Sequence, residues 1–289
     1  MTDRKVAFLT GASRGIGRGC ALELARRGFD LVLTARTVTG AERFEHSSTV
    51  KQSSTGPLPG SCEATAAECR ALGVATHVAK LDLAERGDWP AAVESAMQRF
   101  GRIDVLVNNG RYVGPGHMDP FEETPLDLIE QMFLCNVYAP LALIKLCLPI
   151  WKRQGGGIVI NITSSAGQTE TPQPIGKGGW GLGYSLTKAA FSRMVAGLAK
   201  ELRPYGVAVI GLMPGFVGTE RMAIELKDFG FDASKGLPVE NPGRVCAMLA
   251  TANDPLLFSG KDIYGPSFHA EHAAVRFESD SVSTTDKHR

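Results

Sequence analysis

A short apolar run at residues 5–10 passes directly into T-G-A-S-R-G-I-G at residues 10–17, and a helical pattern then continues to Arg27 and stops at Gly28. Strand, glycine-rich turn and helix in this order form the first half of a dinucleotide-binding unit. Gly11 makes the tight turn, Gly15 lets the backbone approach a pyrophosphate, and Gly17 lets helix and strand pack closely. The helix start, with Ser13, Arg14 and Ile16, offers amide donors and a positive dipole end to phosphates. A glycine-rich turn without a ligand can be spelled the same way. Its setting between strand and helix carries the reading.

The rest of the chain keeps the alternation. Apolar runs at 31–34, 75–80, 103–107, 157–162, 207–212 and 261–264 read as strands, separated by helical patterns. The pattern predicts an α/β fold with a doubly wound parallel sheet in a single domain over 1–269, an insertion at 37–60 and a polar C-terminal tail at 270–289. Its 289 residues, 44% hydrophobic and 21% charged, suffice for one large core. A net charge of +1 gives no footprint for nucleic acid or an anionic membrane. The six cysteines show neither C-x-x-C nor metal-like spacing, so they read as thiols in a reducing cytosol, with no metal. The first apolar run is too short for a signal peptide, and the segment 137–151 contains Pro140 and Lys145 and falls short of a membrane span. A cytoplasmic protein is expected.

The second strand ends in Ala35-Arg36-Thr37, with no acid to bind a ribose 2′-hydroxyl; Asp30 stands at the wrong end. Arg36 and Arg14 either bind a 2′-phosphate, which favours NADP(H) over NAD(H), or are solvated surface arginines. Residues 37–60, rich in Ser, Thr, Gly and Pro, leave from this point as a long loop. Such a loop either folds over the adenosine half of a cofactor or is simply mobile.

Further polar residues fall at strand ends, where ligands bind in such sheets. Asp82, before Leu83, either accepts from an adenine amino group or caps the next helix. Asn108, Asn109 and Gly110 close the fourth strand. Asn136, amid apolar neighbours, is either a satisfied core amide or the holder of a water near a catalytic site. Ser164 either meets a substrate carbonyl or makes a turn. Finally, G-Y-S-L-T-K at 183–188 opens a helix that puts Tyr184 and Lys188 one turn apart on one face. An ammonium beside a phenol favours the phenolate, which makes the hydroxyl a usable acid and base. Alone, this spacing also describes an ordinary helix face.

Taken together, T-G-A-S-R-G-I-G, N-N-G, Asn136, Ser164, Y-x-x-x-K and P-G-F-V-G-T, in that order over residues 4–268, resemble the short-chain dehydrogenase/reductase family. The resemblance implies a Rossmann-type sheet of about seven strands, a nicotinamide cofactor and carbonyl–alcohol interconversion. It implies Tyr184 as acid/base and Lys188 as its partner and a contact to the nicotinamide ribose. Ser164 would orient the carbonyl, with Ser165 as fallback, and Asn136 would position a water. Pro214, Gly215, Val217 and Thr219 would contact the cofactor, and the enzyme would be a homodimer or homotetramer. Three features depart from the family pattern: Arg111 after N-N-G, Ile210 in place of the usual Asn, and a long loop at 171–181.

Segments 112–121, 168–181 and 216–237 should face the substrate, and their Tyr112, Val113, Met118, Trp180, Phe216, Met222, Phe229 and Phe231 suit a hydrophobic ketone, aldehyde or alcohol. These residues fit core or oligomer contacts equally well. Arg111, His117 and Lys177 could bind an acidic substituent. A regulatory dinucleotide-binding protein without turnover would not need the Asn-Ser-Tyr-Lys set. A lyase or dehalogenase on this fold would be expected to lose the glycine loop.

Overall fold

Along the first strand the side chains divide between two faces, Ala7 and Leu9 in one apolar cluster and Val6 and Phe8 in the other. Every residue of this strand is buried, as a parallel strand covered by helices on both sides requires. The computed structural model of the chain describes residues 3–169, 173–175 and 177–272. Seven strands form one parallel sheet: β1 (Val6–Thr10), β2 (Asp30–Ala35), β3 (Thr76–Lys80), β4 (Val105–Asn108), β5 (Gly157–Ile162), β6 (Val207–Met213) and β7 (Asp262–Tyr264). Their order is β3-β2-β1-β4-β5-β6-β7. This is the Rossmann-type, doubly wound sheet that the alternation predicted. The order reverses between β1 and β4, so the crevice opens beyond the carboxyl ends of these two strands.

Helices α1 (Gly15–Arg26), α2 (Cys62–Ala71) and α7 (Glu240–Ala250) cover one face. The other face carries α3 (Asp88–Phe100), α5 (Ala139–Gln154) and α6 (Leu182–Leu202). One of the departures from the family pattern, Ile210, and the position of Pro140 find simple explanations here. Ile210 is fully buried and pairs in register with Ile160, so the core accepts an apolar side chain there. The helical stretch from α4 (Leu126–Phe133) into α5 is not broken at Pro140 itself. A π-helical turn, Leu134–Tyr138, precedes it, and Ala139 N donates to Leu134 O, five residues back. Proline has no N–H to give the Asn136 carbonyl, so the α-helical bond at that step cannot form.

The stretch Leu126–Gln154 is long and apolar enough to cross a membrane by length and composition alone. In the fold its Leu143, Cys147 and Trp151 are fully buried in the second cluster. At the C-terminal end, α8 (Gly265–His272) takes in the first three residues of the expected tail. The remainder of the expected tail, 273–289, lies outside the described residues, as do 171, 172 and 176 of the substrate-side loop.

Gly17 tests the packing of α1 on β1. A Cβ there would meet Gly11 O at 2.1 Å and Asn109 Nδ2 at 2.6 Å, both held in place. Gly17→Ala should therefore cost about 1–3 kcal/mol. A lower urea midpoint with an unchanged slope is expected, and an unchanged midpoint would refute the close approach.

Candidate active site

Helix α6 begins at the rim of the crevice and buries Tyr184, Thr187 and Lys188 in its first two turns. The i, i+4 spacing brings Lys188 beneath the Tyr184 ring, with Nζ 5.8 Å from the ring centroid. Lys188 Nζ donates to Ile162 O, the last carbonyl of β5, at 2.7 Å. Burial, reinforced by the positive charge of Arg111, pulls the Lys188 ammonium down to about 7. Asn136, in the π-helical turn, accepts from Tyr112 N at 2.6 Å and donates to Thr187 Oγ1 at 2.9 Å. Thr187 Oγ1 in turn donates to Tyr184 O at 2.8 Å. Asn136 is thus satisfied and also ties the segment after β4 to α6. π-Helical turns often occur at such functional positions.

A cavity of about 640 Å³ runs along the carboxyl edge of the sheet. Gly11, Ser13, Arg14, Gly15 and Ile16 line one part, and Ser164, Ser165, Tyr184 and Lys188 another. Leu83, Asn109, Gly110, Pro214, Gly215, Val217 and Thr219 also reach it. Gly17 does not line the cavity; its role is the close packing described above. Gly11 and Gly15 hold φ of 65° and 55°, values that favour glycine. No side chain caps the N-terminus of α1, leaving its first amides for a ligand. The bare loop and uncapped helix fit a pyrophosphate. Asn109 acts mainly on the protein itself: its Nδ2 donates to Thr10 O at 3.1 Å and Gly11 O at 3.0 Å, fixing the glycine turn.

Asp82 lines the cavity but caps no helix. Its Oδ1 accepts from Ala84 N at 3.0 Å in a turn, and α3 starts later, after Gly87. Ser164 Oγ likewise accepts from Ala166 N at 3.3 Å, so it makes a turn as well as lining the cavity.

Residues 37–60 form the roof. Phe44, His46, Gly56 and Leu58 line the cavity, and the loop is joined to both ends of it. On the nucleotide side, Arg14 donates to the carbonyls of Leu58, Pro59 and Gly60. Its Nε and Nη2 are thus held by the roof, while Arg14 itself lines the cavity. On the substrate side, Ser48 O accepts from Met118 N at 2.8 Å and Asp119 accepts from Val50 N at 3.0 Å. His46 Nδ1 meets Glu225 at 3.1 Å. At the end of β2, Arg36 lies over the Phe44 ring, 4.8 Å from its centroid, and makes only a long 3.4 Å bond to Val113 O. Sequence reasoning missed Glu42, which the roof brings into the cavity lining. Its carboxylate accepts from the amides of Val38, Thr39 and Gly40, and these bonds hold it down at about 2.

The substrate end is aromatic. Trp180 sits 4.9 Å from the Tyr184 ring and 4.6 Å from Phe231, centroid to centroid. His117 packs edge-on against Trp180 and Tyr184. Burial, with the charges of Arg111, Arg221 and Lys188, holds the His117 imidazole well below its ordinary range, so it is neutral. Arg111 lines the cavity with its guanidinium 5.5 Å from the Tyr184 ring centroid. Lys177 does not reach the cavity lining.

An uncapped glycine-rich turn, a switch-point cavity and a buried Tyr–Lys pair define a dinucleotide-dependent oxidoreductase architecture. The chain belongs to the short chain dehydrogenase family, whose sequence model matches residues 5–56 and 53–228. The oxidoreductase YohF of Escherichia coli strain K12 is 29% identical over 240 residues, 83% of this chain and 83% of that protein. Human dehydrogenase/reductase SDR family member 7 is 31% identical over 220 residues, which make up 74% of this chain and 56% of the human protein. Among solved structures, acetoin dehydrogenase YohF from Salmonella typhimurium matches with a TM-score of 0.68 and 25% identity, over 89% of this chain and 93% of that one. The protein is an enzyme, an oxidoreductase acting on CH–OH groups with NAD(P).

Lys188 leaves a signature in stability. Its folded value lies near 7, whereas the unfolded side chain keeps its proton to about 10.5. Between these values the unfolded chain binds the extra proton, so stability rises with pH; below about 7 both states are protonated and the burial penalty is complete. The urea midpoint of the cofactor-free enzyme should climb from pH 7 to about 8.5, and Lys188→Met should flatten that climb. An equal slope in both proteins would show that Lys188 is not buried as an amine.

Proposed function

We propose that this enzyme interconverts a ketone or aldehyde with the corresponding alcohol, using Tyr184 as acid and base and NADP(H) as cofactor. The observation that carries the reading is the Tyr184–Lys188 pair on α6, lining one cavity with Ser164 and with the glycine turn. A bound nicotinamide supplies or accepts the hydride. In the reducing direction, Tyr184 gives its proton to the oxygen of the carbonyl group as negative charge develops there. Ser164 Oγ donates to the same oxygen and holds it in place. The cationic form of Lys188 and the guanidinium of Arg111 near the ring stabilise the phenolate that remains. Asn136, through Thr187, keeps the first turn of α6 in register with β4. The roof over residues 37–60 limits access of bulk water.

The preference for NADP(H) rests on Arg36, whose guanidinium faces the cavity at the end of β2 with one weak protein partner. Glu42, the acid that could instead serve a 2′-hydroxyl, is directed to the amides of its own loop. Leu126, Tyr138 and Leu186 are exposed on neighbouring helices and offer a second copy of the chain an apolar face, in keeping with a homodimer or homotetramer. Six free thiols suit a reducing, cytoplasmic setting.

Reduction of hydrophobic ketones and aldehydes, followed by loss of NADPH absorbance, tests the chemistry. Tyr184→Phe should lower kcat by about 10²–10⁴-fold while leaving the NADPH Kd within about threefold; retained turnover would sink the assignment. For the cofactor, Arg36→Leu should lower the NADPH-to-NADH ratio of kcat/KM by at least about tenfold, the loss expected of one charge-assisted contact. A wild-type preference for NADH would count against Arg36 in this role.

A further inference from the structure

Two arginines line the substrate half of the cavity without forming an ion pair among the described residues, although Glu220 lines the same cavity. Arg221 is 8% exposed. Its Nη2 makes long bonds to His46 O at 3.4 Å and Ser48 Oγ at 3.3 Å, while Nε and Nη1 have no partner. Among the described residues no carboxylate stands within ion-pair distance of it. The nearby Glu225 accepts from Ser54 Oγ at 3.0 Å and lies 3.1 Å from His46 Nδ1, and its charge acts on Arg221 without an ion pair. Arg111 has one bond, from Nη1 to Tyr112 O at 2.8 Å, and likewise no ion pair. Burial, then the charge of Arg111, brings Arg221 down to about 9 against the opposing pull of Glu225.

A buried guanidinium with unmet donors is costly unless a ligand completes it. Its planar fork matches the two oxygens of a carboxylate. Arg221 and Arg111 share the cavity with Trp180, Phe216 and Met222, and Arg111 lies beside the Tyr184 ring. We propose that the substrate bears a carboxylate, bound by Arg221 and Arg111, on an apolar skeleton that places its carbonyl or carbinol carbon at Tyr184. The proposal rests on the reductase reading above and narrows it from hydrophobic carbonyl compounds to keto or hydroxy acids. The phosphates of the dinucleotide are the other anions that could meet Arg221, and the experiment separates the two sources.

Aryl keto carboxylates, with the carboxylate one to four carbons from the carbonyl, are compared with their methyl esters in NADPH-dependent turnover. In the wild type, kcat/KM for the best acid should exceed that of its ester by about 10–100-fold, mainly through KM. In Arg221→Met that ratio should fall to near one, and Arg221→Lys should keep part of it. The NADPH Kd, from tryptophan fluorescence, should shift by less than about threefold. An ester as good as the acid in wild type, or a ratio that survives Arg221→Met, overturns the proposal. A folded Arg221→Met protein, by circular dichroism, with a tenfold weaker NADPH Kd assigns Arg221 to the cofactor and also overturns it. Should Arg221→Met not fold, Arg111→Met and Arg221→Lys carry the same comparison. Should no compound turn over, calorimetric titration of the acids into the NADP-bound enzyme decides separately: binding lost in Arg221→Met sustains the anion site while the reductase reading falls, and no binding overturns both.

Discussion

The architecture depends on a small set of hydrogen bonds at the point where the strand order reverses. Thr10 Oγ1 donates to Val107 O and accepts from the amides of Asn109 and Gly110, at 3.3, 3.0 and 2.9 Å. Asn109 returns two bonds to the carbonyls of Thr10 and Gly11. Together they clamp the ends of β1 and β4 at a fixed separation. They also satisfy backbone groups that a glycine turn would otherwise leave unpaired in a buried crevice. The open mouth of the cavity and the bare start of α1 both follow from this clamp. Asn136 extends the same frame to α6 by holding Tyr112 N on one side and Thr187 on the other.

Much of this was legible in the sequence because the signals are local. A strand buried on both faces is a continuous apolar run, and a tyrosine and lysine four apart on a helix must share a face. The glycine turn is spelled by the conformations it requires, as the positive φ of Gly11 and Gly15 bears out. What escaped was non-local. Residues 37–60 carry no periodicity, so nothing in their composition says that Ser48 pairs with Met118 or that Arg14 is taken by the carbonyls of residues 58–60. Glu42 and Arg221 passed unremarked because each enters the cavity only once the roof is in place. Pro140 marked a real irregularity, but the strain is absorbed in the turn before it.

Positive charge gathers at the substrate half of the cleft. Arg111, Arg221 and Lys188 line it without an ion pair among the described residues, while the acids that also line the cavity are Asp82, Glu220 and Glu42, the last occupied by the amides of its own loop. With a net charge of only +1 over the whole chain, this concentration is local. Low-dielectric walls strengthen such a field, which favours anionic ligands on approach as well as in the bound state.

The roof has a mechanical consequence. One continuous segment is tied to Arg14 at the nucleotide end and, through His46, Ser48 and Val50, to Arg221 and Asp119 at the other. Lifting it far enough to admit or release a dinucleotide strips Arg221 of both of its protein partners in the same movement. The two halves of the cleft therefore share one cover: the segment held by Arg14 at the nucleotide end is the segment that supplies both protein partners of Arg221 at the other.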